Sequence, residues 1–204
     1  MPRALLDSAA TRAALRRLYR DVDGFDIAKS QERRIAKAKS SATYGEIMPA
    51  ATLQMLDDLA LGPEDTFVDL GSGVAKVVLA AAIGTPVRRA VGVELAADRH
   101  ERALSVVEQA RAQKLIGRNT VELRRENILT TDLRDATVLY TCSTAFPYSF
   151  THRLAQRIGG LGRALTFVTL QELDTLPNFT LERVLRLDMT WARRRKVHVY
   201  RVAG

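Results

Sequence analysis

The sequence predicts an α/β fold: a doubly wound, mostly parallel sheet of seven strands, closed by an antiparallel C-terminal hairpin and preceded by an N-terminal helical extension. Three observations predict it. A buried-strand pattern runs into a glycine turn and a helix start at Phe67-Val68-Asp69-Leu70-Gly71-Ser72-Gly73-Val74. A second apolar run ends on Glu94, about 20 residues beyond the turn, the spacing at which a carboxylate meets a ribose in nucleotide-binding βαβ units. Strand-like runs then alternate with helical ones as far as residue 169, and two further strand-like runs follow with no helix between them.

Taken in order, residues 3–20 read as an amphipathic helix with Ala4, Leu5, Ala9, Leu15 and Leu18 on one side, and Asp23-Gly24 as a turn. Residues 27–40 carry Lys29, Arg33, Arg34, Lys37 and Lys39 against Glu32 alone, with a thin apolar stripe of Ala28, Ile35, Ala36 and Ala38. They read either as a basic surface helix or as a solvated arm. Thr43-Tyr44-Gly45-Glu46 is a loop. A helix over 48–60 places Met48, Leu53, Leu56, Leu59 and Ala60 inward and stops at Gly62-Pro63. Strands follow over 66–70, 89–95, 120–125, 136–141 and 163–169, with helices over 75–83, 98–115 and 149–158. Residues 180–188 and 195–202 form the closing hairpin, turning around Trp191 to Arg194. Residues 1–42 are the extension and 43–204 the α/β domain.

The 204 residues suffice for one domain with an appendage, and 47% hydrophobic with 26% charged content is that of a globular chain. There is no apolar leader and no apolar run of the ~18 residues a membrane span needs, which predicts a cytoplasmic protein. The lone Cys142 excludes an internal disulfide and a cysteine-cluster metal site, and His100, His152 and His198 lack ligand spacing, so no metal is expected. A net charge of +8 suits an acidic partner, a nucleic acid or acidic surface met through the basic residues 29–39.

Asp69 narrows the ligand. A dinucleotide lays its pyrophosphate over such a turn, where a neighbouring carboxylate repels it. A nucleoside with an ammonium and a sulfonium is favoured in the same place, which points to S-adenosylmethionine rather than NAD. A parallel sheet finished by an antiparallel hairpin is also the layout of class I methyltransferases.

Several segments together resemble one family of that class. They are Thr43-Tyr44-Gly45-Glu46, the helix with Leu56-Asp57-Asp58, the strand and turn from Phe67 to Val74, Val78-Leu79, and Gly92-Val93-Glu94. The chain resembles the non-SET histone-lysine methyltransferases of the disruptor-of-telomeric-silencing type. The match is dense from Thr43 to Glu94 and thins afterwards: Arg125-Glu126-Asn127-Ile128-Leu129 falls where that family has Gly-Asp-Phe, and Cys142-Ser143-Thr144-Ala145-Phe146 where it has Asn-Asn-Phe-Ala-Phe. The resemblance implies that Tyr44 and Glu46 fold over the methionine part of the cofactor. Asp69 and the Gly71-Ser72-Gly73 turn line its middle, Glu94 takes the ribose, and Asn127 and Ile128 meet the adenine. Trp191 resembles the family's tryptophan near the acceptor channel. The transferable methyl is expected to face Cys142, Ser143 and Phe146, with Trp191 closing the far wall. A protein lysine is the acceptor this implies. A small-molecule or RNA acceptor on the same cofactor site, or a non-catalytic binding module, remains open at the level of sequence.

Overall fold

The computed structural model describes residues 7–25, 28–31, 33, 45–117, 120–143, 146–174 and 176–204. Strands β1 (Thr66–Leu70), β2 (Arg89–Val93), β3 (Val121–Arg124), β4 (Val138–Thr141), β5 (Leu165–Thr169), β6 (Phe179–Leu187) and β7 (Arg195–Val202) form one sheet. The order is β3-β2-β1-β4-β5-β7-β6, with β1 to β5 parallel and β7 antiparallel between β5 and β6. The predicted fold is therefore the observed one, to within two residues at most strand ends. The strand order reverses beside β1, and in open sheets ligands gather outside the carboxyl ends at that point.

Helices α1 (Ser8–Leu18), α2 (Pro49–Leu59), α3 (Lys76–Gly84), α4 (Ala97–Ala112) and α5 (Tyr148–Gly159) flank the sheet. In α3 every residue from Val77 to Ile83 is buried, as expected of a helix apolar all round. It packs in one core with Leu15 and Leu18 of α1, Leu53, Met55 and Leu56 of α2, and Val106 of α4. The opposite sheet face carries α5, whose Phe150, Leu154 and Ile158 meet Val68, Leu70, Leu139 and Phe167. No helix lies between β5 and β6 among the described residues.

Two helices differ in phase from the sequence reading. In α1, Thr11, Ala14, Leu15 and Leu18 are buried while Ala9 is exposed. Asp7 caps the Ala10 N–H, which fixes where the first turn begins, and Thr11 then packs against Gly84. In α2, Met48 is the exposed N-cap and Ala60 the left-handed C-cap, so the inward set is Ala51, Thr52, Leu53, Met55 and Leu56. Ala4, Leu5 and most of the basic stretch 29–39 lie outside the described residues; Lys29 to Gln31 and Arg33 are helical.

Candidate active site

The site is built on the turn after β1. All five residues of β1 are buried, so the strand delivers Asp69 and Leu70 without solvent contact to Gly71. Gly71 and Gly73 both take positive φ, 88° and 54°, a region open to glycine at little cost. The Gly71 and Ser72 N–H groups donate to the Val93 carbonyl at 2.8 and 3.0 Å. Glu94 clamps the turn further. Its Oε2 accepts from Gly73 N–H at 3.0 Å and its Oε1 from Ala96 N–H at 2.7 Å. Each oxygen keeps lone-pair capacity for a ligand hydroxyl. Gly92, opposite Asp69 in the sheet, lets the turn come close: a Cβ there would stand 2.8 Å from Ser72 Oγ.

Asp69 is only 3% exposed, and its carboxyl accepts no hydrogen bond among the described residues. Burial, followed by the charge of Glu94, pushes its pKa up to about 8. Tyr19 and Tyr140 sit nearby, and both phenols are pushed well above their usual range, chiefly by burial, with Asp69 among the contributing charges.

Two side chains that sequence reasoning passed over brace this end of the sheet. The Tyr19 hydroxyl, at the end of α1, donates to the Val74 carbonyl at 2.9 Å. Lys76, in the first turn of α3, pairs with Glu46 at 2.6 Å and lies 5.5 Å over the Tyr19 ring. The position of Lys76 just past the glycine turn was the available signal. For Tyr19 there was none, because its contact spans 55 residues.

The segment containing Glu46 reaches the site by pairing with the hairpin turn. Ile47 bridges Met189 antiparallel, Met48 N–H donates to the Asp188 carbonyl, and Thr190 N–H donates to the Glu46 carbonyl. Trp191 consequently lies against Gly45, where a Cβ would come within 2.5 Å of Trp191 Cε3. Cys142, after β4, directs its thiol to the Gly45 carbonyl, Sγ to O 3.6 Å. Phe146 approaches from the other side: its Cζ is 3.4 Å from where a Gly71 Cβ would stand, and its ring is 4.9 Å from Phe150. Glu46, Asp69, Glu94, Cys142, Phe146 and Trp191 thus converge on one sheet end.

Other predicted residues have different local tasks. Ser143 is fully buried, shares a 2.7 Å hydrogen bond with the Thr169 hydroxyl and accepts from Gln171 N–H. It ties the β4 and β5 ends together and has no exposed hydroxyl to offer an acceptor. Gln171 completes that knot by donating to the Ser143 and Phe146 carbonyls, so it positions Phe146. Asn127 Oδ1 accepts from Leu129 N–H at 2.9 Å in an Asx turn, and Ile128 is buried against the second core. Tyr44 lies outside the described residues. Among the described residues no three His, Cys, Asp or Glu side chains gather as a metal would require.

Comparison with known proteins agrees with this architecture. The Salinibacter ruber RNA methyltransferase, solved in complex with S-adenosyl-L-homocysteine, superposes with a TM-score of 0.57 at 20% identity, covering 75% of this chain and 90% of that one. TrmN from Thermus thermophilus gives 0.59 at 18%, covering 84% and 53%. These likenesses establish the Rossmann-like methyltransferase fold. In sequence, the H3 lysine-79 specific histone-lysine N-methyltransferases of Drosophila melanogaster and Caenorhabditis elegans are 32% identical over 134 residues and 42% over 59. These stretches cover 60% and 29% of this chain. The chain spans only 7% and 6% of those relatives' own lengths. The family model for the histone methylation protein DOT1 matches residues 27–189, ending at the hairpin turn that carries Met189. Because that match takes in well over half of the chain, the glycine turn and Glu94 among it, this chain belongs to the DOT1 family.

Proposed function

We propose that this protein transfers the methyl group of S-adenosylmethionine to a lysine of a protein substrate. The carrying observation is Asp69: a buried carboxyl beside Glu94 with no hydrogen-bond partner among the described residues, over a turn whose two glycines take positive φ, with Phe146 packed against Gly71. That donor set fits a cationic nucleoside. A pyrophosphate would face two carboxylates and little compensating charge. S-adenosylmethionine, when bound, supplies a methyl group already activated on a sulfonium.

The chain's own residues bind, orient and exclude water. Asp69 and Glu46 are suited to the ammonium of the amino-acid end and Glu94 to the ribose hydroxyls. Phe146, Cys142 and Trp191 offer an apolar wall to the acceptor. A lysine entering such a wall loses hydration, which lowers its pKa and favours the free amine. Alignment then does most of the catalytic work, and no side chain need act as a general base. The names of the DOT1 relatives support lysine as the acceptor.

The test combines binding and transfer. S-adenosylhomocysteine should give a calorimetric binding isotherm and NAD none. Labelled methyl groups should enter a basic protein, with methyl-lysine recovered after hydrolysis. Label found only in RNA or in small molecules would overturn the lysine assignment, and binding of NAD in preference would overturn the cofactor.

A further inference from the structure

Helix α1 reaches the candidate active site through one residue. Tyr19, its C-cap, is partly buried and grips the start of α3 at two places. Its hydroxyl donates to the Val74 carbonyl at 2.9 Å, and Lys76 Nζ stands 5.5 Å over its ring. Ala75, the residue between those two, is the N-cap of α3 and holds φ at +66°, a left-handed position that a residue with a Cβ seldom takes. No side chain among the described residues caps this helix start. A backbone held so far from its preferred region persists only where its surroundings over-determine it, and Tyr19 fastens both neighbours of Ala75.

Both neighbours belong to the site. Val74 follows the glycine turn, and Lys76 pairs with Glu46 at 2.6 Å, each charge partly buried. The Tyr19 phenol is pushed above its usual range by burial first, then by the charges of Glu46 and Asp69. It therefore stands within reach of both carboxylates suited to the ammonium of the methyl donor. The rest of α1 is fixed to the domain. Ala14, Leu15 and Leu18 are buried, and Thr11 lies against Gly84. Just beyond the helix, Arg99 and Arg102 of α4 donate to the Gly24 and Asp23 carbonyls at 2.8 and 3.1 Å. Tyr19 precedes residue 27, where the family match begins, whereas Glu46, Asp69 and Lys76 lie inside it.

The amino-acid end of S-adenosylmethionine is a zwitterion. Asp69 and Glu46 suit its ammonium, but its own carboxylate is then repelled by them unless a cation stands among them. The Lys76–Glu46 pair offers a zwitterion both complements at one spot. A lysine ammonium on its flexible stem is poorly fixed by a single partner, and an aromatic face beneath it supplies a second attraction. Resting on the proposed function, we propose that Tyr19 is a positioning residue for the methyl donor. By holding Val74 and the Lys76 ammonium it aligns the Lys76–Glu46 pair with the zwitterionic end of S-adenosylmethionine, which makes helix α1 part of the cofactor site.

Calorimetric titration of the full chain with two ligands tests this. S-adenosylhomocysteine carries the amino-acid end; methylthioadenosine keeps the nucleoside and the thioether and lacks that end. Tyr19→Leu removes ring and hydroxyl and should weaken S-adenosylhomocysteine about tenfold, leaving methylthioadenosine within about twofold. Tyr19→Phe restores the ring and should recover part of the loss, ending about threefold below the parent. Because Tyr19 acts largely through Lys76, Lys76→Met alone should reproduce most of the loss. Adding Tyr19→Leu to it should cost at most about threefold more, the share carried by the Val74 bond. A residue that only props the fold would weaken both ligands alike. Thermal melts identify a variant that does not fold, and if Tyr19→Leu is one, the ratio of the two affinities in Tyr19→Phe decides. If that ratio stays at the parent's value in the Tyr19 variants, or if Tyr19→Leu costs as much beside Lys76→Met as alone, the inference fails while the proposed function stands. A parent chain that binds neither ligand would overturn the proposed function, and this inference with it.

Discussion

Replacing Asp69 by asparagine should change the pH dependence of stability in a defined window. In the folded chain Asp69 titrates at about 8, because burial and Glu94 oppose its charge. Unfolded, it titrates at about 3.9. Between those values the native state holds a proton that the unfolded state has released, so stability falls as pH rises. The loss is about 1.4 kcal/mol per pH unit, or about 5–6 kcal/mol across the whole window. Above the folded pKa both states are ionised and the loss is complete. Asparagine keeps the shape and cannot ionise. Urea unfolding followed by circular dichroism between about pH 5 and pH 9 should therefore give curves that diverge with pH, the variant gaining on the parent until about pH 8. A second readout concerns the ligand. If the cation of S-adenosylmethionine pairs with an ionised Asp69, binding near neutrality must release a proton. Calorimetry in buffers of different ionisation enthalpy would detect it, and Asp69→Asn would abolish it along with much of the affinity. Parallel unfolding curves, or binding without proton release in the parent, would refute the reasoning.

Gly45→Ala should force Trp191 off the loop, since the new methyl would stand within 2.5 Å of Cε3. Trp191 is the chain's one tryptophan, so its fluorescence should shift, and Trp191→Ala should relieve the strain in the double variant. Lys76→Met should release Glu46 from its 2.6 Å partner; a double-mutant cycle on stability should give a coupling of about 0.5–1 kcal/mol, the scale of a partly exposed pair, and a value near zero would remove the pair as a brace. Phe146→Ala should cut turnover far more than affinity for S-adenosylhomocysteine, as expected of a residue that aligns the acceptor, and equal losses in both would reassign Phe146 to the cofactor.

The parts of this molecule that are local in sequence were legible there. Continuous apolar runs located β1, β2 and β4 because those strands are buried on both faces, and the glycine turn announced itself because only certain residues allow φ of 88° and 54° without strain. The phase of α1 was not legible. Asp7 decides where that helix begins, and Gly84 leaves room for Thr11 to turn inward in place of Ala9. Ser143 read as an acceptor-side hydroxyl because it follows β4, yet Thr169, 26 residues later, takes its hydrogen bond. Tyr19, Lys76 and Gln171 were missed for a similar reason. Their hydrogen-bond partners are Val74, Glu46 and the carbonyls of Ser143 and Phe146. Such pairings exist only once the sheet has brought distant segments together.

The same distinction separates the two halves of the site. The proposed cofactor half lies largely within one stretch, from Asp69 to Glu94, and its geometry is set by the backbone bonds of Gly71 and Ser72 to Val93 and by the bond from Gly73 N–H to the Glu94 carboxylate. Substituting side chains other than Glu94 leaves those bonds in place, so the glycine turn tolerates sequence change around it. The proposed acceptor half is assembled from distant pieces, residues 45–48, Cys142, Phe146 and residues 188–191, joined by the Ile47–Met189 bridge, the Met48–Asp188 and Glu46–Thr190 hydrogen bonds, the Cys142–Gly45 contact and the packing of Trp191 on Gly45. A wall made from such contacts changes shape with each residue that lines it. Cys142 in place of the family's asparagine therefore alters what the wall presents, from a hydrogen-bonding amide to a thiol turned toward the Gly45 carbonyl, without disturbing the turn that holds the nucleoside. On the proposed function, specificity for the acceptor would rest on the hairpin, the 45–48 segment and the residues after β4, and binding of the methyl donor on β1, β2 and the turn after β1.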